Sequence, residues 1–194
     1  MKKALLLFAV AALGTLATKA QVRYGVRGGI NFSNVRGSDV EGNKGQTGFH
    51  IGALAEIGLP ASGLSIQPEI QFSGEGAKTD DGEGIQARLN LSYINVPVLV
   101  KYTFQPGIFV TSGPQLGFLA SAKAKIEGES SSIKDQFKST NLSWAFGAGY
   151  LSPLNIGIDL RYNLGLSKLA KEDGKVYSNV FQIGLFYVFG DAKK

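Results

Sequence analysis

The chain has 194 residues, no cysteine and a formal net charge of +5. That is the length of one domain, with neither a disulfide framework nor thiol chemistry. Lys2, Lys3 and Lys19 belong to an N-terminal segment that reads as a targeting signal, and without them the 20 Lys+Arg become 17 against 15 Asp+Glu. So small a surplus is no argument for nucleic-acid binding, which calls for a clustered basic face, and no such partner is expected.

The first element in chain order is that signal. Lys2 and Lys3 form a positive start, and Ala4 to Ala17 is an uncharged, mostly apolar run too short to cross a bilayer as a helix. Thr18 and Ala20 place small residues around Lys19, so cleavage is expected between Ala20 and Gln21. The expected division is a signal peptide over 1–20 and one domain over 21–194. No Cys follows the apolar run, which excludes a lipoprotein signal.

Eight strand-length segments follow. In Tyr24 to Val35, Tyr24, Val26, Ile30 and Phe32 fall on one face and Arg27, Asn31 and Ser33 on the other, the period of two that places side chains alternately across a strand. Thr47 to Leu59 sets Phe49, Ile51, Ala53 and Ile57 against His50 and Glu56. Leu64 to Gly76 sets Leu64, Ile66, Ile70 and Phe72 against Ser65, Gln67, Glu69, Gln71 and Ser73. Arg88 to Phe104 carries Ile94, Val98, Val100 and Tyr102 opposite Asn95, Pro97 and Lys101, and Pro97, lacking a ladder donor, is expected to mark a bulge or local distortion. Ile108 to about Ile126, Asn141 to Leu151, Asn155 to Leu166 and Tyr177 to Phe189 continue the pattern, with Thr111, Gln115, Ser143, Asp159, Arg161, Asn163 and Gln182 on the polar face.

The connections alternate in length. Arg36–Gln46, Ala77–Ala87, Glu127–Thr140 and Ser167–Val176 are long and polar, whereas Pro60–Gly63, Gln105–Gly107 and Ser152–Leu154 are tight. Short periplasmic turns and longer extracellular loops are the habit of outer-membrane barrels. A soluble barrel would bury the apolar face. Strands of about a dozen residues exceed the ~5–6 usual in soluble sheets and meet the ~9–11 that cross a membrane. The expected fold is all-β: an eight-stranded antiparallel up-and-down transmembrane barrel in a bacterial outer membrane, inserted as a monomer. Aromatic residues cluster toward both ends of the strands, as expected of interfacial girdles.

Several segments resemble the PorT-like outer-membrane β-barrel family of Bacteroidetes. They are Val22-Arg23-Tyr24-Gly25-Val26-Arg27-Gly28-Gly29-Ile30-Asn31-Phe32-Ser33, Ser92-Tyr93-Ile94-Asn95-Val96-Pro97-Val98-Leu99-Val100-Lys101-Tyr102, Ser112-Gly113-Pro114 and Arg161-Tyr162-Asn163-Leu164-Gly165-Leu166. That family commonly carries a carboxylate where this chain has Asn95. The resemblance implies an outer-membrane barrel and, through the founding member, a role in secretion or maturation of surface proteins. The last strand, ending at Phe189, is similar to the C-terminal signal read by the barrel-assembly machinery, although Gly190–Lys194 follow it.

An eight-stranded barrel is just wide enough for side chains to fill. Arg27, Glu56, Glu69, Lys101, Asp159 and Arg161 all point inward on this register. Buried charges must be paired, so a structural charge network is expected, with Arg27 roughly opposite Glu56. The sharper alternative is a gated proton or ion path. His50, the single histidine, lies near Ser73 and Glu75; a hydrolase or acyltransferase would need the three in mutual reach. Asp39, Glu41, Asp80, Asp81, Glu83 and Asp173 match no cation-loop signature, and neither a cofactor nor a metal is expected. The expected partners are outer-membrane lipid and lipopolysaccharide, the assembly machinery during insertion and a surface or secreted protein met by the loops. A small-molecule or lipid-binding barrel is the alternative.

Overall fold

The computed structural model describes residues 22–36, 43–60, 63–80, 86–126, 129–169 and 176–190. The signal segment, with Ala20 and Gln21, lies outside them. So do Asp39, Glu41, Asp81, Glu83 and Asp173, together with the side chain of Asp80.

Nine strands are described: β1 (Val22–Arg36), β2 (Asn43–Gly58), β3 (Leu64–Asp80), β4 (Gln86–Thr103), β5 (Ile108–Ile126), β6 (Glu129–Ser132), β7 (Thr140–Leu151), β8 (Ile156–Gly165) and β9 (Tyr177–Val188). All neighbours are antiparallel in the order β4-β3-β2-β1-β9-β8-β7-β5, and pairing of β4 with β5 closes the ring. The first and last strands meet, Gly25 opposite Val188 and Arg36 opposite Tyr177. This is the expected closed barrel of eight strands. β6 is extra: it folds back on the far end of β5, with Lys123 opposite Ser132.

What each face buries decides where the barrel sits. Ile51 is 60% exposed and Leu185 60%, whereas Arg161 is 2% and Lys101 1%. A protein dissolved in water has the reverse distribution. The apolar face turns outward on every barrel strand, and the polar face fills the lumen, as alternation in a lipid-embedded barrel requires. No described helix is long and apolar enough to cross a membrane, so the crossing is made by strands.

The tight turns are built from residues that accept unusual backbone angles. Gly63 sits at φ +78, where a Cβ would come within 2.7 Å of the Thr103 carbonyl oxygen, and Gly107 sits at φ +124. Asn155 takes φ 63, a conformation Asn tolerates better than most.

Three local expectations need correcting. First, the long connections are shorter than their polarity suggested. Thr79 pairs with Ala87, and Lys78 with Arg88, inside the segment expected to be a loop, because polar alternation continues as strand above the membrane. Second, the register puts Arg23, not Arg27, opposite Glu56, and Arg27 opposite Gly52. The expected loop Arg36–Gln46 was centred too far along the chain, which displaced the pairing by three residues and made Glu56 an approximate partner of Arg27. Third, Pro97 marks the expected local distortion but not a bulge: pairing between β3 and β4 skips from Pro68–Val98 to Gln71–Asn95 in constant register. The bulge falls instead at Ser92/Tyr93, opposite Ser121 and Leu119, leaving Ala120 as an extra residue in β5.

Candidate functional site: the barrel lumen and its long-loop rim

The lumen is filled in layers by alternate residues of the eight strands. At the short-turn end Leu54, Phe109, Phe186 and Val188 form an apolar cluster. Beside it Glu56 accepts from Arg23 Nη2 at 3.0 Å and from Lys101 Nζ at 3.0 Å. The Lys101 ammonium also lies 4.4 Å from the centroid of the Phe109 ring, a cation–π contact.

Above this sits a quartet from β1, β3 and β8. Glu69 Oε2 accepts from Arg27 Nη1 at 2.8 Å and from Arg161 Nη1 at 2.8 Å. Glu69 Oε1 accepts from Arg161 Nη2 at 2.9 Å and from Gln67 Nε2 at 2.6 Å. Arg27 Nη2 donates to Asp159 Oδ2 at 3.0 Å, and Arg161 lies 3.6 Å from the same oxygen. Two guanidinium groups and two carboxylates cancel in charge, which lets them lie together out of water. Gly184 makes room for them, since a Cβ there would stand 2.3 Å from Asp159 Oδ1.

The next layer is neutral. Asn31 Nδ2 donates to Ser73 Oγ at 2.9 Å and to the carbonyls of Phe49 and Gly74. Asn31 Oδ1 accepts from Gln182 Nε2 at 3.0 Å and faces His50 Nδ1 at 2.7 Å. An amide oxygen can only accept, so His50 carries its proton on Nδ1. Glu75 follows, accepting from Ser73 Oγ at 2.9 Å, Asn95 Nδ2 at 3.3 Å and Ser178 Oγ at 3.3 Å. A second apolar cluster of Leu91, Tyr93, Leu119, Ala122 and Leu169, backed by Leu89, Ile133, Phe137 and Val176, lies at the long-loop end.

The sequence-selected charges therefore fall into two groups: Arg27, Glu69, Asp159 and Arg161 come together, and Glu56 and Lys101 pair nearer the short turns. Arg23 was missed as a partner of Glu56. Its parity with Arg27 on β1 was the available signal. His50, Ser73 and Glu75 share one region but make no relay. His50 bonds to Asn31, and the Ser73 hydroxyl donates to Glu75, so His50 is not placed to take the serine proton. No group of three His, Asp or Glu side chains suited to a metal ion occurs among the described residues. The long-loop apolar cluster was also missed. Leu91, Tyr93 and Leu119 are inward residues whose hydrophobicity looks, in sequence, like a lapse in the polar face.

The family described as the outer membrane protein beta-barrel domain matches residues 17–171. The chain belongs to that family. It is an outer-membrane β-barrel, located in a bacterial outer membrane. Among solved structures it is similar to Neisserial surface protein A, with a TM-score of 0.58, 15% identity and coverage of 86% of this chain and 97% of that one. It is also similar to Ail, the attachment invasion locus protein of Yersinia pestis, solved with the heparin analogue sucrose octasulfate, with a TM-score of 0.52, 20% identity and coverage of 87% and 99%. At such identities these likenesses establish the fold. No curated protein sequence matches the chain.

Proposed function

We propose that this protein is a non-enzymatic binding or assembly component of the outer membrane, and that it meets a surface or secreted protein through its long-loop end. The observation that carries this reading is an asymmetry of strand length. β3, β4 and β5 have 17, 18 and 19 residues, whereas β7, β8 and β9 have 12, 10 and 12. One side of the wall thus rises past the other as a hydrogen-bonded sheet. β6 adds to its edge, and Ile133 and Phe137, which flank a 3-10 turn at Lys134–Gln136, pack against the apolar cluster. A rigid ledge of this kind presents a pre-ordered surface, which lowers the entropic cost of binding. The similarity to PorT-like barrels supports a part in surface-protein secretion or maturation.

The interior gives little support to a catalytic or conduit role, since Arg27, Glu56, Glu69, Lys101, Asp159 and Arg161 are paired with one another and apolar clusters lie at both ends. A lipid-binding reading has one observation of its own. An apolar groove of about 590 Å³ runs across the outer wall of β1, β9, β8 and β7 at Gly28, Ala148, Ile158 and Leu185.

The protein-contact reading is tested with photo-crosslinking residues at Ser131 and Ser132, both exposed, in native outer membranes. A discrete protein adduct is expected, lost when 129–137 is replaced by a Gly-Ser segment of equal length while the barrel keeps its folded gel mobility. Adducts with lipid alone, or an adduct that survives the replacement, would remove the ledge as the contact surface.

A further inference from the structure

The same ledge carries a second surface, on the side continuous with the lipid-facing wall. We propose that Lys78, Lys123 and Lys134 form a binding site for the phosphate groups of outer-leaflet lipopolysaccharide, gripping the lipid that surrounds the barrel.

The apolar band ends at a defined row. Phe72, Ile94 and Phe118 are cross-strand partners on β3, β4 and β5, and all three face outward, 37%, 42% and 45% exposed. Beyond that row the outward positions are Gly74 and Gly76 on β3, Ser92 and Asn90 on β4, and Ser121 on β5, with no large apolar side chain among them. Then the face turns basic. Lys78 lies opposite Arg88, and Lys123 lies opposite Asn90, one outward position from Arg88. Lys134 Nζ donates to the Ala120 carbonyl at 3.1 Å, which places its ammonium over β5 between Phe118 and Lys123.

The bulge in β5 is what builds this face. Along β5 below the bulge even-numbered residues face outward, so without the extra residue Ala120 the Lys123 side chain would enter the lumen beside Leu91. With it, Ala122 turns inward and is 1% exposed, while Lys123 is exposed on the outside. Bulges re-aim side chains in this way, and they recur beside functional sites.

Like charges directly opposite one another weaken a sheet, and an anion beside Lys78 would relieve its repulsion with Arg88. Arg88 is engaged within the chain. Lys78 and Lys123 make no salt bridge with any carboxylate among the described residues. Asp135 is exposed beside Lys134 in the 3-10 turn, and Glu75, three residues from Lys78, is buried in the lumen. At ~3.3 Å per residue and a strand tilt near 40°, Lys78 and Lys123 stand about 10–15 Å above the last apolar row, and the Lys134 ammonium at the Ala120 carbonyl stands lower. Their stems can bend back to bring the ammonium groups into the headgroup layer. Lysine is a compact, strongly hydrated charge suited to holding phosphate, and in an outer membrane the anion continuous with the lipid-facing wall is the phosphate of the outer-leaflet lipid.

Native mass spectrometry of the folded, detergent-solubilised barrel tests this with three probes: phosphorylated rough lipopolysaccharide, the same lipid stripped of phosphate, and inorganic phosphate. The phosphorylated lipid should remain bound, and the stripped lipid should bind far more weakly. Removing one lysine should weaken retention roughly fivefold, and the combined Lys78→Gln, Lys123→Gln, Lys134→Gln variant about a hundredfold, given ~1 kcal/mol per basic residue at an anionic surface. A charge-matched Lys171→Gln, Lys175→Gln, Lys193→Gln variant should retain lipid as the parent does. Equal retention by the ledge variant, equal binding of the stripped lipid or an equal loss in the control variant would overturn the proposal. Displacement of the lipid by millimolar inorganic phosphate would overturn the lipid as the occupant and leave a free-anion site. If the combined variant does not reach the folded gel mobility, Lys123→Gln alone carries the test, and unchanged retention would sink the idea.

Discussion

Glu69 is the residue on which the lumen's electrostatics turn. Both of its oxygens are used by Arg161, one also by Arg27 and the other by Gln67, and its side chain is fully buried. Removing its charge would leave two guanidinium groups sharing Asp159 in a medium that cannot solvate the excess. Breaking a buried pair from one side costs about 3–5 kcal/mol, so Glu69→Gln should lower unfolding stability by that order in urea titrations of the lipid-reconstituted barrel. Arg23→Gln makes the contrast. Arg23 is 19% exposed at the side chain, and partly hydrated pairs are worth about 1 kcal/mol or less. Equal losses for the two variants would mean that the quartet is no more than two independent ion pairs. Asn95 follows the same logic in reverse. It donates to Glu75 at 3.3 Å, so a carboxylate in its place would face another carboxylate, whereas the amide supplies a donor.

At the scale of elements, the sheltering segment after β5 is held by the β5–β6 ladder and by two apolar side chains. Ile133 and Phe137 pack against the cluster of Leu91, Leu119 and Leu169, and the Ile133 amide donates to the Ala122 carbonyl at 3.1 Å. The combined Ile133→Ser, Phe137→Ser variant should leave the barrel folded, because the ring closes through β4 and β5 below this level. It should open the lid locally, increasing hydrogen exchange at the backbone amides of Leu119 to Ala124; unchanged protection there would show that the segment does not shelter the cluster. The strands themselves were legible because lipid on one side and a packed lumen on the other impose a period of two over a dozen residues. Cross-lumen pairing was not. Which inward charge meets which depends on register and stagger around the whole ring, and a slip in one hairpin moved Glu56 from Arg27 to Arg23. β6 escaped notice for another reason: Glu129-Ser130-Ser131-Ser132 carries no apolar alternation, and its pairing is fixed by β5 rather than by its own sequence.

The whole molecule is inside-out, with its charges in the middle and its hydrocarbon on the wall, and this bears on whether anything passes through it. A water path would have to cross Leu54, Phe109 and Phe186 at one end, the Arg27–Glu69–Asp159–Arg161 quartet, and Leu91, Tyr93 and Leu119 at the other. Two of these barriers are apolar and exclude ions by desolvation. The third is a neutralised cluster whose groups are committed to one another. In planar bilayers the protein should give no stepwise currents. Phe109→Ala combined with Phe186→Ala should stay silent as well, because the edge-to-face ring pair it removes, with centroids 5.7 Å apart, closes only the short-turn end. Stepwise conductance from the parent protein would mean that the layers part in the membrane, and the gated ion path through Glu69 and Arg161 would then replace the packed lumen. Conductance from the double variant alone would place the whole seal at the short turns and deprive the long-loop cluster of any part in closure.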